Sequence, residues 1–357
     1  METIGIDLHP KRTRYVCMSQ DGRVTKKASI ASTPQGFREA FSKHQPGETQ
    51  VALEATCNWY WAVDALAELG LEVHLANPLK VRLIAESTIK TDTVDATALA
   101  HLLRMGWLPE SRITPPEVRL LRERLRYRIT LVRISSGIKC RIHTILDKQG
   151  ILPPELSDLF GKTGRAWLAQ VQLEAEYRQN LDGYLRLLDF LRAEVERVEE
   201  WLKNHTRDNR DMELLMEIPG IGRFGAALIL AEIGDINFFP SPRKLSSFIG
   251  VVPGADNSNL RQRDTELKRD SNQYIRWLLA ESATKAMRVV PAWERLYSRV
   301  HAGNPKRRCK ARVAVMHKMV KAIWRVLAQK QPFNRLHNCP ELADGKNGEL
   351  VVGTGLK

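Results

Sequence analysis

The chain has 357 residues, a formal net charge of +14, and 43% hydrophobic residues, which suggests a protein of two or three domains with ample core. Its apolar runs are too short to cross a membrane, and its first residues, M-E-T-I-G-I-D, lack the basic region of a signal peptide. The five cysteines lie far apart without a C-x-x-C pair, so neither a zinc site nor a disulfide framework is expected, and we predict a cytoplasmic protein.

The first 110 residues predict three strands followed by strands that alternate with helices. This order is expected of an RNase-H-like (RuvC-like) α/β domain. Asp21-Gly22 is typical of the hairpin turn between the second and third strands. The predicted strands are 3–8, 14–19, 24–30, 50–53 and 72–76, and the predicted helices are 34–43, 59–69 and one from about Thr93 or Val94 to Arg104.

Four acidic residues are predicted to meet at one edge of this domain. Asp7 ends the first strand, Glu54 ends the fourth, and Asp92 and Asp95 share one face at the start of the late helix. Carboxylates held this close repel each other unless a cation lies between them. Together they could hold two Mg²⁺ ions about 3.5–4 Å apart on a phosphodiester. Taken singly, each acid is better explained as a structural or solvent-facing residue.

The positive charge is confined to the chain after residue 110. Residues 1–110 hold 12 Lys/Arg against 13 Asp/Glu, whereas the remainder holds 43 against 28. A basic field of this size favours binding to a nucleic acid, with a generic basic protein as the alternative.

Residues 112–148 predict one long basic helix, with ten Lys/Arg against three acids. Because arginine makes bidentate contacts with phosphate, this helix is a predicted nucleic-acid interface, with a solvated helix face as the alternative. The predicted contact residues are Arg119, Arg122, Arg124, Arg126, Arg128 and Arg133.

After Pro153-Pro154, apolar residues recur at alternating spacings of three and four. This heptad pattern predicts either a helical hairpin within the chain or a coiled coil that joins copies of it. The pattern consists of Leu181, Tyr184, Leu188, Leu191, Val195, Val198 and Leu202.

The composition changes at Ile218-Pro219-Gly220-Ile221-Gly222, which precedes an alanine-rich helix predicted for 224–233. This turn is similar to a helix-hairpin-helix turn, whose backbone amides can meet a DNA phosphate. Beyond it we predict a polar loop around Ser258, an N-cap at Ser271, and helices over 272–287 and 312–329. Basic residues of the loop that could contact nucleic acid are Arg261, Arg263, Lys268 and Arg269.

The predicted fold is therefore an α/β RNase-H-like domain, a long helical or coiled-coil region, and a mainly α-helical C-terminal domain. The corresponding ranges are 1–110, 111–210 and 211–332, followed by a loose tail over 333–357, which is rich in Gly and Asn.

Five motifs, in this order, resemble the DEDD insertion-sequence transposases. They are I-G-I-D, A-L-E-A-T, K-T-D-T-V-D-A, P-G-I-G and F-I-G-V-V-P-G-A-D-N-S. This is the IS110 family, which is related to the Piv DNA invertases and is described as bridge-RNA-guided recombinases. The resemblance runs from about residue 3 to 330, and K-T-D-T-V-D-A is its most specific part.

The resemblance implies that Asp7, Glu54, Asp92 and Asp95 form a RuvC-like metal tetrad and that Ser258 is the nucleophile. The serine would attack the scissile phosphate, leaving a phosphoserine link and a free 3′ hydroxyl. Donor and target DNA, a structured bridge RNA, a homodimer or homotetramer and a place at the prokaryotic nucleoid are further implications.

One departure from the family pattern concerns the residue after this serine, which is usually glycine. Here it is Asn259, which also tolerates a positive φ. Two alternatives stay open: a RuvC-like junction nuclease that uses water in place of Ser258, and a non-catalytic nucleic-acid-binding relative. The intact tetrad argues against the second.

Overall fold

The computed structural model describes residues 1–84, 91–258, 261–267 and 271–333. The chain divides into two compact units, Met1–Pro115 and Pro116–Lys357. Among the described residues, no helix combines the length and hydrophobicity that a membrane span needs.

The N-terminal unit is built on a mixed six-stranded sheet of order β3-β2-β1-β4-β5-β6. The first three strands are antiparallel, β4 and β5 run parallel to β1, and β6 closes the edge antiparallel to β5. The predicted succession along the chain, three strands followed by strands that alternate with helices, is confirmed. The elements are β1 Glu2–Asp7, β2 Arg12–Met18, β3 Val24–Ala31, α1 Pro34–Phe41, β4 Thr49–Glu54, α2 Trp59–Glu68, β5 Glu72–Ala76, α3 Pro78–Ile84, α4 Asp92–Arg104 and β6 Glu110–Ser111.

The two faces of this sheet pack against different helices. Because successive strand residues point to opposite faces, Ile4 and Ile6 lie on one face with Val51 and Leu53, where α1 and α2 cover them. The other face is lined by small residues of the same strands, including Ala52, and packs against the leucines of α4.

Gly5 is where α4 comes closest to the sheet. A Cβ atom at this position would lie 1.9 Å from the carbonyl oxygen of Ala96 and 2.7 Å from the backbone nitrogen of Ala100. Only glycine therefore allows this contact between strand and helix, and the contact brings the start of α4 beside the end of β1.

The start of α4 is fixed by a side-chain cap. Thr91 has extended backbone angles, and its hydroxyl accepts a hydrogen bond from the Val94 N–H at 3.3 Å. The helix consequently begins at Asp92, one or two residues earlier than predicted, and both Asp92 and Asp95 lie in its first turn.

In its described residues, the C-terminal unit is mainly helical with one β-hairpin. Its elements are α5 Pro116–Lys148, α6 Lys162–Gln170, α7 Ala175–His205, α8 Arg210–Met216, α9 Arg223–Ile233, α10 Pro242–Ile249, β7 Pro253–Ser258, β8 Arg261–Leu267, α11 Gln273–Ala286, α12 Pro291–His301 and α13 Arg308–Gln329.

The two long helices α5 and α7 form an antiparallel hairpin within the chain. Arg128 near the start of α5 pairs with Glu199 near the end of α7, while the heptad leucines of α7 are buried against the second half of α5 and against α6. The hairpin alternative is thus confirmed. Its open end joins the C-terminal core, to which Leu125, Ile129 and Leu202 contribute, so the boundary near residue 210 stays a prediction.

The segment predicted as a polar loop around Ser258 is instead the β7–β8 hairpin. Its strands pair antiparallel, and Ser258 faces Arg261 across the turn. The loop prediction was wrong because the sequences of 253–258 and 261–267 lack the apolar alternation that indicates a half-buried strand.

The contact at Gly5 predicts opposite results for two glycine-to-alanine substitutions. Gly5→Ala should lower the free energy of unfolding by about 3 kcal/mol or prevent folding, because backbone atoms on the helix cannot yield as a side chain can. Gly137→Ala, in α5 with open space around it, should be neutral or stabilise by up to about 1 kcal/mol. Urea unfolding of both variants measures the difference, and equal stabilities would contradict the close approach.

Candidate active site

Asp7 and Glu54 leave the sheet side by side. β1 and β4 are parallel with Ile6 opposite Leu53, so the next residue on each strand is one of these acids. The alternation of side chains directs both toward the face covered by α4. Both acids therefore lie at the same end of adjacent strands, at one edge of the sheet, as the sequence predicted.

The first turn of α4 completes the cluster, together with a histidine that the sequence analysis missed. His9 Nε2 lies 3.0 Å from Asp7 Oδ2 and 3.5 Å from Asp92 Oδ1. Each of these three residues offers one ligand atom, and the three atoms lie within 4.8 Å of one another. The available signal was the D-x-H spacing directly after a strand, which is weak without the tertiary contact.

Burial and mutual repulsion raise the pKa of two of the four acids. The pKa of Asp7 is raised chiefly by burial, with further contributions from Asp92 and Asp95 and an opposing one from His9. The pKa of Glu54 is raised by burial and then by the charges of Asp7 and Asp95. The charges of Asp92 and Asp95 thus act on Asp7, and those of Asp7 and Asp95 act on Glu54, as neighbouring carboxylates at one cation site would.

Ser258 belongs to the C-terminal unit, where it is the last residue of β7. Arg261 begins the facing strand, and Arg263 pairs in register with Asp256. The backbone thus puts two of the predicted basic residues on the strand next to Ser258. Asn259, Lys268 and Arg269 lie outside the described residues.

A buried polar network holds the chain just beyond this hairpin. Asn272 donates a hydrogen bond from Nδ2 to Glu232 Oε2 at 2.8 Å and caps α11 by accepting from the Ile275 N–H at 3.0 Å. The cap is therefore Asn272, not Ser271 as predicted, because its longer side chain reaches both partners. Glu232 is 4% exposed and also receives two hydrogen bonds from Arg126, at 2.9 and 3.0 Å.

Three arginines of α5 that were predicted to contact nucleic acid are buried or make hydrogen bonds within the protein. Arg119 is 5% exposed, and Arg122 donates to the backbone oxygens of Ala231 and Glu232. Arg126 is committed to the Glu232 carboxylate. This side of α5 packs on α9, so all three make contacts within the C-terminal unit, and their part in nucleic-acid binding stays a prediction.

The other three predicted arginines differ in exposure, and the side chain of Arg128 is only 17% exposed. Arg124 is exposed, with its guanidinium 5.3 Å from the centre of the Trp201 ring. Arg128 stacks on Phe224 at 4.1 Å and bonds Glu199 at 2.9 Å. Arg133 is exposed. Their part in nucleic-acid binding stays a prediction.

A groove of about 550 Å³ opens beside the P-G-I-G turn. Gly220 has a φ of +86°, and a Cβ there would lie 2.4 Å from the Ser282 carbonyl oxygen, so glycine is required where the turn meets α11. The groove is bordered by the N-terminus of α9 and by Trp277. Its charged residues are Arg128, Lys203, Arg223, Lys285, Glu199 and Glu281, which leave an excess of positive charge.

Comparisons with known proteins match both units. A model of the DEDD transposase domain of IS110 elements, described as "Transposase", matches residues 4–150. A second, "Transposase IS116/IS110/IS902 family", matches residues 212–298. These two domains, in this order, define a transposase of insertion sequences. The chain belongs to the IS110/IS116/IS902 family of transposases, whose activity is the DNA cleavage and strand transfer that move a mobile element.

Full-length relatives agree with this assignment. A "Probable family 20 transposase" of Pseudomonas aeruginosa is 25% identical over 91% of this chain and 93% of its own length. The transposase for insertion sequence element IS1111A of Coxiella burnetii is 26% identical over 74% of each chain. The pilin gene-inverting protein of Moraxella bovis is 24% identical over 94% of this chain and 98% of its own.

The raised pKa of Asp7 predicts that this residue destabilises the metal-free fold. A carboxyl with a higher pKa in the folded state releases its proton later there, so the free energy of unfolding falls as pH rises from the ordinary aspartate range through the raised one. At pH 7, Asp7→Asn should therefore raise the melting temperature of the metal-free protein above that of the wild type. Saturating Mg²⁺ should raise the melting temperature of the wild type but not of the variant.

Asp182→Asn is the matched control for this experiment. A hydrogen bond from Arg178 lowers the pKa of Asp182, so its neutralisation should leave the melting temperature unchanged or reduce it. A stabilised control, or an Asp7→Asn variant that melts below the wild type at pH 7, would contradict the electrostatic explanation.

The groove beside the P-G-I-G turn is predicted to contact DNA phosphates through its lysines. Lys203→Gln with Lys285→Gln should weaken DNA binding and reduce the slope of log affinity against log salt by up to about 1.8, because each lost phosphate contact removes about 0.9. The control is Lys27→Gln with Lys43→Gln, two exposed lysines of the N-terminal unit that carry the same total charge. Equal slopes for the two double variants, measured by fluorescence anisotropy, would show that only net charge matters.

Proposed function

We propose that this transposase cuts and rejoins DNA with a Mg²⁺-binding tetrad, Asp7, Glu54, Asp92 and Asp95, and with Ser258 as its nucleophile. The observation that carries the proposal is the position of the four acids at one edge of the six-stranded sheet, whose strand order supports an RNase-H-like, RuvC-like domain. Acids without a ligand to hold would gain no stability from sharing this edge, because they raise one another's pKa.

The donor atoms at this edge fit divalent magnesium. Oxygen is the ligand atom that Mg²⁺ prefers, and carboxylates on a strand end and a helix start are held by regular structure. When bound, one or two such ions would supply charge stabilisation at a scissile phosphodiester. Asp7, Glu54, Asp92 and Asp95 would hold them. Asp92, whose side chain is more exposed than that of Asp7, would face the substrate.

The proposed role of Ser258 is covalent. Its Oγ would form a bond to phosphorus while the bond from phosphorus to the 3′ oxygen breaks, so that the serine proton leaves and the 3′ oxygen becomes a hydroxyl. Support comes from its position at the end of β7, next to a strand that begins with Arg261 and continues to Arg263. Guanidinium groups there could neutralise the additional negative charge that develops on the phosphate.

The acids and the serine belong to different units of the chain, which bears on assembly. We propose that a homodimer or homotetramer brings the tetrad of one copy to the serine of another on donor and target DNA. A structured bridge RNA would select these DNA sites. The net charge of the chain after residue 110 and the groove at the P-G-I-G turn support contacts with both nucleic acids, in the cytoplasm and at the nucleoid.

The proposal is tested by incubating the full chain with the DNA of its mobile element and with RNA transcribed from the sequence that flanks its gene. The wild type should form a protein–DNA adduct that survives SDS and maps to the tryptic peptide holding Ser258. Ser258→Ala should lose the adduct and the recombined products but keep DNA binding. The double variant Asp92→Asn/Asp95→Asn should lower cleavage by at least about 100-fold with binding retained, because two of the carboxylates that would hold the metal ions are gone.

The results separate this mechanism from its alternatives. If Ser258→Ala still cuts DNA at the wild-type rate without an adduct, water is the nucleophile and the protein acts as a RuvC-like nuclease. Cleavage by the wild type in excess chelator would refute the metal tetrad. Binding without any cleavage by the wild type, in the presence of Mg²⁺, would favour a non-catalytic relative.

A further inference from the structure

We infer that His9 is a nitrogen ligand of the proposed metal centre, which makes the centre select Mn²⁺ over Mg²⁺. The inference rests on the metal site put forward above and extends it by one residue and by a metal preference. The DEDD pattern contains no histidine, and the sequence assigns none to the site.

The distances around His9 are those of neighbouring ligands on one ion. Two ligand atoms at about 2.1 Å from an octahedral metal, and at right angles to each other, lie about 3.0 Å apart. His9 Nε2 is 3.0 Å from Asp7 Oδ2 and 3.5 Å from Asp92 Oδ1. The three residues can each offer a ligand atom within 4.8 Å of the others, which is compatible with one shared ion.

The chain leaves His9 available for such a role. It lies between β1 and β2, and its side chain is 49% exposed. Within the described residues, its polar contacts are with Asp7 and Asp92. Its ring nitrogen therefore points into the acidic cluster instead of serving a core contact. The alternative is a histidine that only hydrogen-bonds to Asp7 and orients it.

The chemistry of imidazole gives this ligand a measurable consequence. Mg²⁺ strongly prefers oxygen and keeps several waters, whereas Mn²⁺ and later divalent metals accept an imidazole nitrogen readily. A centre with one nitrogen and several carboxylate oxygens should bind Mn²⁺ more tightly than Mg²⁺. A centre with carboxylates alone should discriminate much less.

The experiment measures metal binding by the full chain without DNA. Titration calorimetry should give a ratio of Mn²⁺ to Mg²⁺ affinity that falls at least about tenfold in His9→Asn, chiefly through loss of Mn²⁺ affinity. Pulsed EPR of the Mn²⁺-loaded wild type should show coupling to a ¹⁴N nucleus, and this coupling should disappear in His9→Asn. The spectrum of the wild type needs no variant, so the inference can be tested even if His9→Asn does not fold.

His44→Asn is the matched control, because His44 also pairs with a carboxylate of β1, at 2.7 Å from Glu2 at the opposite end of the strand. It should keep the wild-type ratio and the ¹⁴N coupling. A wild type without ¹⁴N coupling, or an unchanged ratio in His9→Asn, overturns the role of His9. If Asp7→Asn binds both metals like the wild type, the proposed metal centre itself fails.

Discussion

The backbone contact between α4 and β1 at Gly5 is the constraint on which the acidic centre depends. It brings the first turn of α4, with Asp92 and Asp95, to the end of the strand that carries Asp7. The charges oppose this arrangement, since burial and the neighbouring acids raise the pKa of both Asp7 and Glu54. The burial of Leu99, Leu102 and Leu103 opposes that repulsion, at about 1.5–3 kcal/mol for each side chain. Apolar packing therefore holds the charges together.

The sequence predicted those parts of the site that local signals encode. Asp7 and Glu54 end strands of strong β propensity, and the pair on α4 follows a threonine cap, so their convergence could be inferred from strand order. His9 could not be found in this way, because its significance comes from a contact with α4, more than 80 residues away in sequence. The heptad pattern likewise predicted packing, but only the structure shows that the partner is α5.

The arginines of α5 show why composition alone misassigns surface charge. Helical periodicity tells which residues share a face, but not which faces are covered by other helices. Arg126 lies on a covered face because α9 offers the buried carboxylate of Glu232, and removal of either partner would leave the other without its counter-charge. The β7–β8 hairpin was missed because its two strands pair with each other although their sequence has no apolar alternation.

The length of α5 has a consequence for how far the C-terminal unit reaches. Its 33 residues span about 50 Å, comparable to about 15 base pairs of a duplex at 3.4 Å each. One end of this rod is fixed through Arg126 and Glu232 to Asn272, directly beyond the hairpin that carries Ser258, and the other lies in the separate core around α6. A force that acts on the far end of α5 would therefore be transmitted along the whole helix to the hairpin that carries Ser258.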